Sequence, residues 1–224
     1  MEGGLSVVCG ASGGLGPAVL DAMAALGDPV VGVASPRTGL ERLSALRSGV
    51  RWERADLSDP ADVAALWVRL DGLGEVRRLV NVTGGFAPGT VVGSSAELLG
   101  EMLRLNLETA WYSCREAARR MIAAGGGAIV NVGSASGIDL GGGAAAYAVS
   151  KAALHALTRV LAAEAGDRVR VNAVAPRTID TPANRAWMSA ADLAAAVSPE
   201  HVAATIAGLC AAGEGPTGTV VEVG

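Results

Sequence analysis

The sequence predicts an α/β protein: a doubly wound parallel sheet of about seven strands with helices on both faces. Three observations carry that prediction. Apolar runs of strand length alternate along the whole chain with longer segments of helical period. Half of the 224 residues are hydrophobic and 18% are charged, a balance that suits a buried sheet under helices better than a disordered or fibrous chain. Aromatic residues supply only 3% of the chain, so Val, Leu and Ala must fill the core, and 31 glycines furnish tight turns between many short elements.

Taken in order, the strand candidates are 5–8, 30–33, 50–53, 79–82, 128–132, 169–174 and 219–223, short runs built around Val, Leu or Ile. Helix candidates lie near 14–26, 39–47, 60–70, 95–123, 147–165 and 199–212, several of them opened by Ser, Asp or Pro in capping or starting positions. A repeated βα order implies parallel strands joined by right-handed crossovers. The reversal of strand order then opens a crevice at the carboxyl ends of the strands, where ligands bind. Functional residues are therefore sought in the loops that follow strands. No linker, low-complexity tract or repeat interrupts the series, so 1–224 reads as one domain, with the Gly-rich stretches 125–127 and 141–143 as loops around the fifth strand.

Charge and cysteine usage exclude several classes. The net charge of −4 carries no basic excess and Arg is scattered, so nucleic acid is not an expected partner. Cys9, Cys114 and Cys210 are odd in number, far apart and without a His nearby to complete a zinc set; buried thiols in a reducing compartment, and no metal, are expected. No basic leader precedes the first strand and no apolar run is long enough to cross a bilayer, which points to a cytoplasmic protein that avoids membranes.

The first strand runs directly into Gly10-Ala11-Ser12-Gly13-Gly14-Leu15-Gly16 and then a helix. Glycines here let the backbone turn tightly and approach a pyrophosphate, while the helix amino terminus offers free N–H groups and partial positive charge. Tyr147-Ala148-Val149-Ser150-Lys151 opens another helix after a Gly-rich loop. Residues four apart share a helix face, so the Lys151 ammonium can lie near the Tyr147 phenol. A free tyrosine ionises near pH ~10, and a neighbouring cation pushes that value down toward useful acid–base chemistry.

The spacing Gly-x3-Gly-x-Gly resembles the glycine motif of the short-chain dehydrogenase/reductase family, a Rossmann-type fold, and Tyr147 with Lys151 resembles its catalytic pair. The resemblance runs through nearly the whole chain. It implies that Asp56, beside Leu57, meets the adenine amino group, although a turn role before the next helix suits Asp56 equally. Asn81-Val82-Thr83-Gly84 is similar to the family segment over the adenine ribose, with Val82 and Thr83 as departures. Asn106 matches the helical Asn that holds a water near the lysine, and Ser134, 13 residues before Tyr147, is selected over Ser136 as the catalytic serine. Pro176, Ile179 and Thr181 resemble the loop that meets the nicotinamide amide, where Arg177 replaces the usual Gly.

The implied reaction is hydride transfer between nicotinamide and a small-molecule carbonyl or alcohol, with Tyr147 as general acid/base, Ser134 orienting the oxygen, and Lys151 and Asn106 relaying protons. No acid follows the second strand. Ser35, Arg37 and Thr38 stand there instead, which favours NADP(H) over NAD(H), although Gly13 occupies the place where a basic NADP marker would stand. Substrate identity is assigned to a short flap at 180–198, where Asp180-Thr181-Pro182-Ala183-Asn184-Arg185 resembles a dihydropteridine-reductase-like branch. A quinonoid pterin therefore stands beside a 3-oxoacyl thioester or small ketone, while Asn184 and Arg185 also read as helix braces. Trp187 and Met188 read as a pocket lining or as a fastening of the flap to the core. His155 and His201 receive no role. A dinucleotide-sensing regulator without catalysis is the alternative of another class, disfavoured by the intact Tyr/Lys pair; a sugar-nucleotide epimerase would need a further region. Ala- and Leu-rich helices at 95–123 and 147–165 fit a homotetramer, with a homodimer second.

Overall fold

A computed structural model describes residues 4–186, 188–211 and 213–224. Seven strands, β1 (Leu5–Cys9), β2 (Val30–Ala34), β3 (Arg51–Arg54), β4 (Val76–Asn81), β5 (Gly127–Val132), β6 (Val169–Pro176) and β7 (Val220–Val223), form one sheet in the order β3-β2-β1-β4-β5-β6-β7. Every neighbouring pair is parallel. The chain builds outward from β1 through β2 to β3, then returns to the other side of β1 with β4. The order therefore reverses between β1 and β4, where Cys9 and Asn81 are partners at the carboxyl ends, and this is the Rossmann-type crevice.

Alternation along the strands explains the two cores. Val7 and Cys9 face one side of the sheet and Val8 the other, because successive side chains point to opposite faces. On the first side, α3 (Pro60–Asp71), α5 (Thr109–Ala123) and α7 (Ala145–Ala165) bury Leu66, Trp67, Met121 and Ala162 against Val7, Leu79 and Ile129. On the second, α1 (Gly16–Ala24) and α10 (Pro199–Cys210) bury Leu20, Met23, Val202 and Ile206 against Val8, Val80 and Val130. All three cysteines are buried, and desolvation pushes each thiol up to about 12.

Several boundaries differ from expectation for physical reasons. The helix expected over 95–123 is three pieces: α4 (Ala96–Leu103), a π-helical turn (Arg104–Glu108) and α5. No Gly or Pro marks the break; tertiary bonds of Asn106 hold it open, described below. The third strand lies one residue later than expected, and β4 begins at Val76 rather than 79. The helix expected from 147 starts at Ala145, so Tyr147 stands in its first turn. The segment 180–198 contains α8 (Pro182–Arg185) and α9 (Ala190–Ala194), capped by Thr181 and Ser189. Trp187 lies outside the described residues. Two further short helices are α2 (Leu40–Leu46) and α6 (Ser136–Asp139).

At the edge opposite the crevice, Arg78, Ala128 and Arg170 form one row across β4, β5 and β6. Arg78 Nε donates to the Cys210 carbonyl at 2.9 Å, and Arg170 donates to the Leu209 and Ala211 carbonyls at 2.6 Å each. Two guanidinium groups thus satisfy the final carbonyls of α10, where a cation also suits the helix dipole. Asp28 pairs with Arg78 and balances its buried charge.

Candidate active site

The glycine loop is shaped by close approach. Gly10 has φ +79°, and a Cβ there would lie 2.6 Å from the Thr83 nitrogen and 2.7 Å from its Oγ1. A Cβ on Gly14 would lie 2.9 Å from Thr181 Cβ, so the loop after β6 closes directly over the glycines. A side chain on Gly16 would overlap the Ala11 carbonyl. Gly13 and Gly14 are exposed, Ser12 is half-buried and Leu15 is buried into the α1 core. The amino terminus of α1 has no side-chain cap; the Gly16 nitrogen donates to the Gly13 carbonyl at 3.1 Å, Pro17 has no N–H, and the positive end of the helix lies at the loop. Thr83 Oγ1, buried against Gly10, has no hydrogen-bond partner among the described residues.

The far end of the crevice brings together the ends of β2 and β3. Ser58 donates to Asp56 Oδ1 through its nitrogen at 3.0 Å and its hydroxyl at 2.7 Å. These bonds first, then the nearby Arg104 and Arg37 charges, hold the Asp56 carboxyl below its ordinary value. Asp56 is exposed and closes a turn through its Oδ1; Leu57 is buried. Ser35 Oγ accepts from the Arg37 nitrogen at 3.3 Å, and Ser35 and Arg37 are both exposed.

The side chain of Asn81, the first residue of the segment expected over the adenine ribose, is buried. Its side-chain amide donates to Asn131 Oδ1 at 2.8 Å and to Cys114 Sγ at 3.3 Å, inside the layer between sheet and α5. As the last residue of β4 it points to the α5 side of the pleat, so its side chain ties β4 to β5.

Three elements, α7, the turn after β5 and the π-helical turn, deliver the reacting groups. Burial of the half-exposed Tyr147 on α7 raises the phenol's pKa by more than the neighbouring Ser134 hydroxyl lowers it. Lys151, one turn on, is 5% exposed and donates to the Val132 carbonyl at 2.9 Å, with its ammonium 5.9 Å from the Tyr147 ring centroid. Burial draws the Lys151 pKa from 10.5 down to about 8. The expected lowering of the phenol by Lys151 is thus not seen: the ammonium is held by a carbonyl of β5, and desolvation dominates the phenol. Ser134 is buried, and its Oγ also accepts from the Ser136 nitrogen at 3.2 Å; Ser136 opens α6.

Asn106 is fully buried in the π-helical turn. Its amide donates to the Gly85 carbonyl at 3.0 Å and to Ser150 Oγ at 3.0 Å, while its Oδ1 accepts from the Gly85 nitrogen at 2.9 Å. π turns occur at functional sites where a side chain needs displacement from helical register. Gly84 lies under the same cluster: a Cβ there would be 2.7 Å from Asn106 Oδ1 and 3.2 Å from Lys151 Nζ.

Behind the site mouth, Pro176 accepts from the Ala135 nitrogen at 3.0 Å through its carbonyl. Ile179 bridges to Val197, and Thr181 accepts from the Asn184 nitrogen at 3.3 Å. Asn184 also donates to the Ile179 carbonyl at 2.8 Å and Arg185 pairs with Asp180, so both act as braces here. Arg177 is exposed and lies 3.6 Å from Asp139 and 3.8 Å from Glu222. Phe86, absent from the sequence reading, stands edge-on to Tyr147 with ring centroids 5.1 Å apart. An isolated aromatic after Gly85 carries no periodic signal that would have marked it.

The family model for short chain dehydrogenases matches residues 5–192. The chain belongs to the short-chain dehydrogenase/reductase family. It is 31% identical over 188 residues to the 3-oxoacyl-(acyl-carrier-protein) reductase FabG of Escherichia coli strain K12, covering 83% of this chain and 77% of that one. It is 35% identical over 243 aligned positions to the galactitol 2-dehydrogenase of Rhizobium johnstonii, covering 100% and 94%. A solved short-chain dehydrogenase/reductase from Serratia marcescens superposes with a TM-score of 0.85 at 28% identity, over 98% of this chain and 96% of that one. The protein is therefore an oxidoreductase of a family whose enzymes use NAD(P)(H). The site suits such a dinucleotide: a loop in which Gly10, Gly14 and Gly16 leave no room for a Cβ, a helix amino terminus without a side-chain cap, and a buried Thr83 hydroxyl with no hydrogen-bond partner among the described residues. No helix among the described residues is long and apolar enough to cross a membrane.

Proposed function

We propose that the protein is an NADP(H)-preferring reductase of a small carbonyl substrate, working through Tyr147, Ser134, Lys151 and Asn106. The Ser134 hydroxyl beside a half-buried Tyr147, with Lys151 buried on the next turn, is the observation that carries this reading. A carbonyl oxygen placed between the Ser134 and Tyr147 hydroxyls receives two donors as negative charge develops on it. Bound nicotinamide dinucleotide would supply the hydride. Tyr147 gives its proton to the oxygen, and Lys151, whose ammonium is already weakened as a proton holder by burial, is the residue from which that proton is replaced. Asn106 fixes Gly85 and Ser150 and thereby the floor under Lys151.

For the dinucleotide, Gly10, Ser12, Gly13, Gly14, Leu15 and Gly16 with the α1 amino terminus meet the pyrophosphate, and Thr83 and Gly84 meet the ribose side. Asp56 and Leu57 close the adenine end, while Pro176, Ile179 and Thr181 line the nicotinamide end. Exposed Ser35 and Arg37 at the end of β2 favour a 2′-phosphate, because Arg offers forked, charge-assisted donors and no acid opposes it. Asn81 contributes through β4 rather than by side-chain contact. Among substrates, a 3-oxoacyl thioester or ketone ranks above a quinonoid pterin, since Asn184 and Arg185 are occupied as braces. We assign residues 180–198 as the substrate flap, the cytoplasm as the location, and a homotetramer as the assembly. The test is a screen of both reduced coenzymes against ketone, acyl-thioester and quinonoid pterin panels with Tyr147→Phe as control. Turnover that persists in Tyr147→Phe overturns the reading.

A further inference from the structure

His155 lies on α7 one turn beyond Lys151 and two turns beyond Tyr147, and it is only 4% exposed. Its Nε2 accepts from the Ser134 backbone nitrogen at 3.4 Å. With Nε2 accepting, the neutral ring carries its proton on Nδ1, and the Gly137 backbone beside the ring works against the fall in its pKa. The turn between those two points is closed internally: Gly137 donates to the Ser134 carbonyl at 3.0 Å, and Ser136 donates to Ser134 Oγ. One imidazole therefore meets both ends of the four-residue turn that presents Ser134, by a hydrogen bond at Ser134 and by close packing at Gly137.

The chain makes room for that ring on both sides. A Cβ on Gly133 would overlap His155 Nε2, and one on Gly137 would lie 3.0 Å from His155 Cε1 and 2.8 Å from the Ala152 nitrogen. Glycines 133 and 137 flank Ser134 and Ser136 because an imidazole, not a smaller side chain, fills the space between β5 and α7. The charged groups near the ring are Lys151 and Arg159, both cationic; with burial they hold it neutral, drawing its pKa to about 4. A neutral ring keeps one acceptor, as the Ser134 nitrogen requires.

We propose that His155 is a positioning residue that locks Ser134 to the same helix that carries Tyr147 and Lys151, so that the three hydroxyl and ammonium groups move as one rigid unit. The role assigned to Ser134 toward substrate rests on the function proposed above, whereas the lock itself is testable without turnover. The chain contains two tyrosines, so 13Cζ-tyrosine labelling gives two NMR resonances, and Tyr112→Phe assigns the other to Tyr147. Titration of Tyr147 in the Tyr112→Phe protein reports whether Ser134 still donates to it.

Ser134→Ala removes that donor and is expected to raise the titration midpoint by roughly half a pH unit to one unit. His155→Phe, which keeps ring volume but not the hydrogen bond, is expected to raise it by a similar amount, and the double variant no further. His155→Gln, with an acceptor and a donor on one side chain, is expected to restore most of the wild-type midpoint. Should His155→Phe fail to fold, His155→Asn, too short to reach both ends of the turn, is read in its place with the same outcomes. A midpoint unmoved by loss of His155 while Ser134→Ala shifts it overturns the proposal. So does additivity of the two substitutions. Loss of NADPH oxidation alone, with the titration as expected, would count against the proposed function and leave the lock standing.

Discussion

Lys151 offers a direct reading of the site's electrostatics through stability. Its ammonium is buried, donates to one carbonyl, and has no carboxylate partner among the described residues. Burial lowers its pKa from 10.5 to about 8 in the folded protein, while the unfolded chain recovers the ordinary value. Between those values the unfolded state binds more protons, so stability rises as pH goes from about 8 toward 10.5, and the penalty is complete below about 8. At about 1.36 kcal/mol per pH unit the displacement corresponds to about 3 kcal/mol, of which about 2.5 kcal/mol is relieved between about pH 7 and about pH 10. Urea unfolding of the wild type and of Lys151→Met across that range measures it, since subtraction removes every other titration. The wild-type stability, relative to the variant, is expected to climb by about 2.5 kcal/mol. A difference that stays flat or falls refutes an uncompensated buried ammonium, and with it the idea that Lys151 yields protons readily.

Tyr147→Phe is expected to lower kcat/KM by roughly 10²–10⁴-fold with coenzyme affinity, measured by fluorescence titration, nearly unchanged. Arg37→Ala is expected to weaken NADPH binding by roughly 10-fold while leaving NADH alone; equal loss for both coenzymes would place the 2′-phosphate elsewhere. Gly84→Ala puts a Cβ 2.7 Å from Asn106 Oδ1 and 3.2 Å from Lys151 Nζ, and chemical denaturation is expected to show a loss of about 1–3 kcal/mol together with reduced turnover.

The fold was largely legible because buried parallel strands and their helices write different periods into the chain. The glycine loop was legible because close backbone approach permits only one residue type, and Tyr147 with Lys151 because four-residue spacing fixes a common face. Asn106 was found by resemblance, yet the π turn around it was invisible: its cause is a clamp on Gly85, 21 residues away, rather than any local breaker. His155 was unreadable for the same reason, since the glycines that accommodate it belong to another element. The motif placed the segment that begins at Asn81 near the ribose but said nothing of its side chain, which the end of β4 sends toward Cys114 and Asn131.

The three shielded thiols have a practical consequence. With each pushed up to about 12 and sealed from solvent, native protein should resist alkylation, while any excursion that bares a cysteine becomes permanent once a reagent is present. They also occupy different neighbourhoods: Cys9 ends β1 beneath the glycine loop, Cys114 sits on the buried face of α5, and Cys210 closes α10 beside the arginine row. Mass-resolved labelling rates at these positions would therefore rank how easily the crevice floor, the π-linked helices and the opposite rim breathe, with no probe added to the chain.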